Sequence, residues 1–157
     1  MSLEDPPHSC ELVKEHAKTV FRFFDQDELE ALCQYLQIRQ LSADTVLMQE
    51  GEPGAFMGFL VSGKLAVRKE TGFTGKHILL AILESGSMVG EISAVVHGQR
   101  NATVVATEES TILELAGKDF ELLVKQHPAL GVKFLSQIVN VVGLRLRKAD
   151  DRLAKLL

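Results

Sequence analysis

The residues of this chain best able to do chemistry lie in one stretch, Glu84 to Ala106, which reads ESGSMVGEISAVVHGQRNATVVA. Gly90-Glu91-Ile92-Ser93 can form a tight turn leading into a short helix, whose unpaired first amides and dipole favour an anion. Arg100 follows Glu91 by nine residues and stands immediately before a strand-like run. A carboxylate can accept from a sugar hydroxyl, while an arginine fork and a set of amides can hold a phosphate. The set suits a ligand that carries both groups close together.

Other chemistries have no comparable pattern. His8, His16, His77, His97 and His127 are scattered without HxxxH or HxH spacing, so a zinc or iron site has no support. No Ser-His-Asp or Cys-His arrangement is visible. The two cysteines, Cys10 and Cys33, sit in helix-like stretches and are expected to be reduced structural thiols rather than a disulfide.

The elements that must position Glu91 and Arg100 come from a chain of 157 residues, which is enough for one domain with a helical appendage. Lys plus Arg total 17 against 21 for Asp plus Glu, a net charge of -4, which argues against a polyanion such as DNA or RNA as the main partner. The longest unbroken apolar run, Ile78 to Leu83, is far short of the roughly 20 residues of a membrane span. Glu4 and Asp5 stand where a secretory signal would be basic, and the expected compartment is the cytoplasm.

Nine of the twelve glycines fall between Gly51 and Gly98, which marks a zone of short strands and turns. Thr45 to Met48, Phe56 to Val61, Lys64 to Arg68, His77 to Leu83, Asn101 to Ala106 and Thr111 to Leu115 are the strand candidates. Their spacing predicts a barrel or double-sheet roll. Before them, apolar residues at three- and four-residue intervals predict helices over Cys10 to Phe24 and Asp27 to Gln37, with Asp25 and Glu28 as a capping box. After them come a short helix, Lys118 to Gln126, and a long one that starts at Pro128 and runs toward Leu157.

That last helix carries two apolar stripes. Leu135, Val139, Val142, Leu146, Ala149, Leu153 and Leu156 follow a heptad seam suited to a symmetry mate. Phe134, Ile138, Val141 and Arg145 form a second stripe directed at the chain's own roll. A homodimer is therefore expected, with a monomer that packs both stripes on one domain as the alternative.

With these residues in hand, VGEISAVVHGQRNATV resembles the phosphate-binding cassette of cyclic-nucleotide-binding domains, FGE(L/I)(A/S), six variable residues, R-x-A-T-V, with the spacing kept throughout. GEPGAFMGFLVSGKLAV and the preceding LSADTVLMQEGEPG resemble the turns and first strands of the same family. The resemblance runs from about Phe23 to Leu157. It implies an α+β, mainly β, fold: an eight-stranded double-sheet roll with N-terminal helices and two C-terminal helices, B and C. The implied organisation is a helical extension over 1–22, the roll over 23–127, and a lid and dimerisation helix over 128–157.

The resemblance also implies roles. Glu91, helped by the Gly90 amide, holds the ribose 2′-hydroxyl. Arg100 pairs with the exocyclic phosphate oxygens, and the amides of Ile92, Ser93 and Asn101 complete the cradle. Val89 and Ala102 line sugar and base, Thr103 anchors the following strand, and Arg145 lies where relatives place base-contacting side chains. Three positions depart from the pattern: Gly58 replaces a bulky strand residue and suggests a bulge or close approach, Val89 replaces an aromatic, and Asn101 leaves the choice of base open. The function so implied is a non-enzymatic cAMP or cGMP sensor that needs no cofactor, signals through its C-terminal helix to an unidentified effector protein, and has no nucleic-acid partner and no membrane span. With nothing after Leu157 to act as a DNA-binding domain, it reads as a free-standing sensor or a piece of a larger protein. The alternatives are a dimerisation module of the same fold without a nucleotide, and a cupin-type metalloenzyme, which His77 and His97 are too isolated to support.

Overall fold

Two four-stranded antiparallel sheets face each other with helices at both chain ends, in a computed structural model that describes residues 10–157. His8 and the first nine residues of the expected extension lie outside the described residues. Helix α1 spans Cys10–Val20 and α2 spans Gln26–Cys33. The Asp25 carboxylate accepts from the Glu28 amide at 2.8 Å, and the Glu28 carboxylate accepts from the Asp25 amide at 2.9 Å, so the capping box fixes where α2 starts.

The strands are β1 (Leu36–Leu41), β2 (Val46–Met48), β3 (Phe56–Ser62), β4 (Leu65–Glu70), β5 (His77–Leu83), β6 (Met88–Val89), β7 (Thr103–Ala106) and β8 (Ser110–Ala116). One sheet has the order β1-β8-β3-β6 and the other β2-β7-β4-β5. Helix α3 (Glu91–Val96) follows β6 directly, and α4 (Gly117–Gln126) and α5 (Pro128–Leu156) close the fold. Pro128 takes the first turn of α5, where its missing N–H is not needed.

Three expectations are corrected. The first helix does not reach Phe24 but ends at Val20. The second helix does not reach Gln37: it ends at Cys33, and Leu36 opens a strand that pairs with β8 from Leu36–Leu115 to Leu41–Ser110. Cys10 and Cys33 are not free thiols. The end-to-start packing of α2 on α1 brings their Cα atoms to 5.7 Å, and they form a disulfide.

The larger apolar core joins the helices to the first sheet. Phe21, Phe59 and Phe134 are buried at its centre, with ring centroids 4.6 Å apart for Phe21–Phe59 and 5.8 Å for both Phe21–Phe134 and Phe59–Phe134. Burying side chains of this size stabilises the fold by about 1.5–3 kcal/mol each. A second cluster, including Leu47, Leu60, Leu65, Val104 and Ile112, fills the roll. Residues Leu130, Phe134 and Ile138 root α5 in the larger core, while Val139, Leu146 and Leu153 on the heptad seam face solvent.

By length and composition α5 is the one helix among the described residues that could cross a membrane. Its first turns are instead packed in the core, and Arg145, Arg147, Lys148, Asp150, Asp151, Arg152 and Lys155 populate the rest.

Candidate functional site

Glu91 and Arg100 are both almost fully buried, which is unusual for charged side chains and demands partners. Gly90 turns the chain from β6 into α3 with φ +73°. An added Cβ there would stand 2.5 Å from Arg100 Nη1 and from Met48 Cε, so the position has neither the backbone geometry nor the room for a side chain.

Arg100 enters from the other side of α3. Its Nη1 donates to the Gly90 carbonyl at 3.0 Å and to Ser93 Oγ at 2.8 Å, and its Nη2 donates to the Phe56 carbonyl at 2.6 Å. The guanidinium lies over the Phe56 ring, 4.8 Å from its centroid. All of these acceptors are neutral, and among the described residues no carboxylate is in ion-pair contact with this cation. Burial lowers its pKa below the ordinary arginine value, opposed at longer range by Glu114, Glu91 and Glu52. The site thus holds a desolvated positive charge with no counter-ion of its own.

The second glycine-rich motif packs against the first. The Gly51 amide donates to the Arg100 carbonyl at 2.9 Å, the Arg100 amide to the Glu52 carbonyl at 2.7 Å, and the Gly54 amide to the Gly98 carbonyl at 2.9 Å. Gly54 also lies so close to Ser93 that a Cβ would overlap its side chain. Thr103 opens β7 and anchors this turn: its Oγ1 accepts from the Glu50 amide at 3.0 Å and from Gln49 Nε2 at 3.2 Å.

Glu91 is met from α5. Arg145 Nη1 donates to its Oε1 at 2.5 Å, and Arg145 Nη2 donates to the Met88 carbonyl. The Glu91 side chain is 3% exposed and that of Arg145 42%, so the pair runs from the interior of the cassette to its mouth. The inward stripe of α5 read from the sequence is the stripe that delivers Arg145.

The other expected residues fall around this centre. Val89 is buried against Gly58, whose added Cβ would lie 3.2 Å from Val89 Cγ1; Gly58 therefore permits a close approach and is not a bulge. Ile92 is exposed, Ala102 is half-buried, and Asn101 lies at the surface. Arg145 contacts the carboxylate rather than standing free over a base site.

Phe56, Met48, Lys69 and its partner Glu50 escaped the sequence reading. Phe56 supplies an acceptor and a ring to Arg100, and Met48 fills the space opposite Gly90. Lys69 on β4 donates to the Asn101 carbonyl at 2.7 Å, to Asn101 Oδ1 at 3.4 Å and to the Glu50 carboxylate at 2.8 Å. That last contact, with the Glu70 amide, holds the Glu50 pKa below the usual carboxylate value. Phe56 could have been found from its place in the GEPGAF motif; Lys69, 32 residues from Asn101, carries no local signal.

A double-sheet roll with a buried carboxylate, Glu91, at the start of one short helix and a buried guanidinium, Arg100, just beyond its end outlines a site for a small ligand. The comparison with known proteins agrees: residues 38–127 match the family described as "Cyclic nucleotide-binding domain", and the chain belongs to that family. It is 27% identical over 131 residues to the cyclic AMP receptor protein of Thermus thermophilus, covering 83% of this chain and 58% of the relative. Among solved structures, a cyclic nucleotide-binding domain from Methylobacillus flagellatus superposes with a TM-score of 0.85 at 25% identity, covering 95% of this chain and 86% of that one. The Thermus thermophilus catabolite activator protein superposes with a TM-score of 0.73 at 28% identity, covering 88% of this chain and 62% of that one. The chain thus spans about three-fifths of that curated relative.

Proposed function

We propose that this chain is a cytoplasmic cyclic-nucleotide sensor that binds cAMP or cGMP, non-catalytically, in the cassette between β6 and β7. The observation that carries the proposal is the buried Arg100 guanidinium, satisfied only by neutral acceptors and lacking a counter-ion. A phosphate arriving beside the first turn of α3 completes its charge balance at a site already desolvated. Glu91, next to Gly90, receives the ribose 2′-hydroxyl. Ile92, Ser93 and Asn101 offer amides to the phosphate, and Val89 and Ala102 line the sugar and base.

Asn101 favours adenine. Its Oδ1 is turned to Lys69 Nζ, so the side chain offers a donor where the 2-amino group of guanine would need an acceptor. The likeness to the cyclic AMP receptor protein points the same way.

Output passes through α5. A ligand seated on Glu91 changes the group that Arg145 holds, and Arg145 is 11 residues along the same helix from Phe134 in the core. The seam of Leu135, Val139, Val142, Leu146, Ala149 and Leu153, exposed at Val139, Leu146, Ala149 and Leu153 and partly packed on the core at Leu135 and Val142, then docks a second copy, giving a homodimer that an effector protein reads.

Thermal unfolding with cAMP and with 5′-AMP tests the assignment, because the open phosphate carries a second charge and lacks the ring. Cyclic AMP at 100 times its Kd stabilises by about 2.7 kcal/mol and raises Tm, whereas 5′-AMP at equal concentration leaves Tm unchanged. Equal shifts for both ligands contradict a cyclic-phosphate site.

A further inference from the structure

Cys10 is the first residue of α1 and Cys33 the last of α2, so their bridge fastens the open end of the N-terminal helix pair. The two sulfurs differ in access. Cys33 is buried, whereas Cys10 is partly exposed. The Cys33 sulfur also lies 3.1 Å from the Glu30 carbonyl, an acceptor for the S–H that this residue carries once the bridge is open. Both oxidation states of Cys33 therefore fit the same pocket.

Around the bridge, Lys14 Nζ pairs with Glu30 at 2.5 Å and with Glu11 at 3.0 Å. Of these, a Glu30 carboxylate oxygen lies within 4.8 Å of both sulfurs. Apart from these ion pairs, α1 is held by Val13 and Ala17, and Phe21 follows it into the core. A helix of 11 residues is too short to persist undocked in water, so α1 stays in place through its packing on the core together with its tie to α2.

We propose that Cys10 and Cys33 form a reversible thiol–disulfide site, with low-molecular-weight thiols and disulfides as its reactants, whose oxidation state sets how firmly α1 is held against α2. On oxidation, the Cys10 thiolate attacks a small disulfide and releases one small thiol. The Cys33 thiol, losing its proton, then attacks Cys10 sulfur and releases the second. One small disulfide becomes two small thiols as the protein gives up two electrons and two protons. Reduction reverses these steps, with the incoming thiol attacking at the accessible Cys10.

The test equilibrates the whole chain in glutathione buffers from fully reduced to fully oxidised, counting thiols by alkylation and intact mass and following amide hydrogen exchange in each state. Both thiols are expected to disappear together, and oxidation is expected to slow exchange over residues 10–20 by about tenfold or more while both sheets are unchanged. In Cys33→Ser the remaining Cys10 takes up one glutathione; in Cys10→Ser the buried Cys33 resists it. A bridge that stays closed, or thiols that stay free, at every glutathione ratio overturns the proposal, as does identical α1 exchange in the two states. Neither readout uses a nucleotide, so failure here is distinct from failure of the sensor reading.

Discussion

Arg145 reaches from α5 into the cassette and holds Glu91, Nη1 to Oε1 at 2.5 Å, while its Nη2 donates to the Met88 carbonyl at the start of β6. One side chain thereby ties the long helix both to the carboxylate assigned to the ribose and to the strand that leads into it. Replacing Arg145 by Ala leaves a buried carboxylate without its cation and removes the tie between the middle of α5 and the cassette, while Leu130, Phe134 and Ile138 still root the helix in the core. Nucleotide binding is expected to weaken by about 1–2 kcal/mol, and amide exchange in α5 beyond Ile138 to accelerate. Tighter binding by the variant would mean that Arg145 competes with the ligand instead of supporting its site.

Arg100 reaches three acceptors from two nitrogens of one planar fork, two through Nη1 and one through Nη2, a spread that the single nitrogen of an ammonium does not reproduce. Arg100→Ala is expected to weaken binding by at least about 1.5–3 kcal/mol, and Arg100→Lys to recover only a minor part of it. Titration of both variants, with circular dichroism confirming the fold, checks this.

The two glycine-rich motifs meet at Gly54 and Ser93, where there is no space for a methyl group. Gly54→Ala must push the turn and α3 apart. We expect a loss of about 1–3 kcal/mol in denaturant unfolding together with weaker nucleotide binding. An unchanged midpoint would place the turn elsewhere.

Leu146, on the solvent-facing seam of α5, tests the assembly. In a dimer through this seam, Leu146→Glu sets like charges face to face, and light scattering should report a monomer with nucleotide binding retained. A variant that remains dimeric rules out the seam.

What was legible in the sequence was what short-range chemistry specifies. Asp25 and Glu28 form their box because the partners are three residues apart, and the cassette could be read because Glu91 and Arg100 flank one short helix. Strand β1 was hidden because Leu29, Leu32 and Leu36 continue a helical period; only pairing with β8, more than 60 residues on, makes LQIRQL a strand. Strand β6, two residues long, has no period to detect. The Cys10–Cys33 bridge depends on how α1 and α2 pack, which an argument from compartment could not supply. The Arg145–Glu91 contact was half visible: the stripe gave the direction of the side chain, and only the path of α5 across β6 and α3 gave its partner.

Whether the buried Arg100 receives a cyclic phosphate is decided by isothermal titration of the purified chain with cAMP, cGMP and cyclic di-GMP. Saturable binding of cAMP near one site per chain is expected, with weaker binding of cGMP and loss of both in Arg100→Ala. Absence of heat with all three ligands, in folded protein free of co-purified nucleotide, would contradict it and leave a dimerisation module built on the same roll.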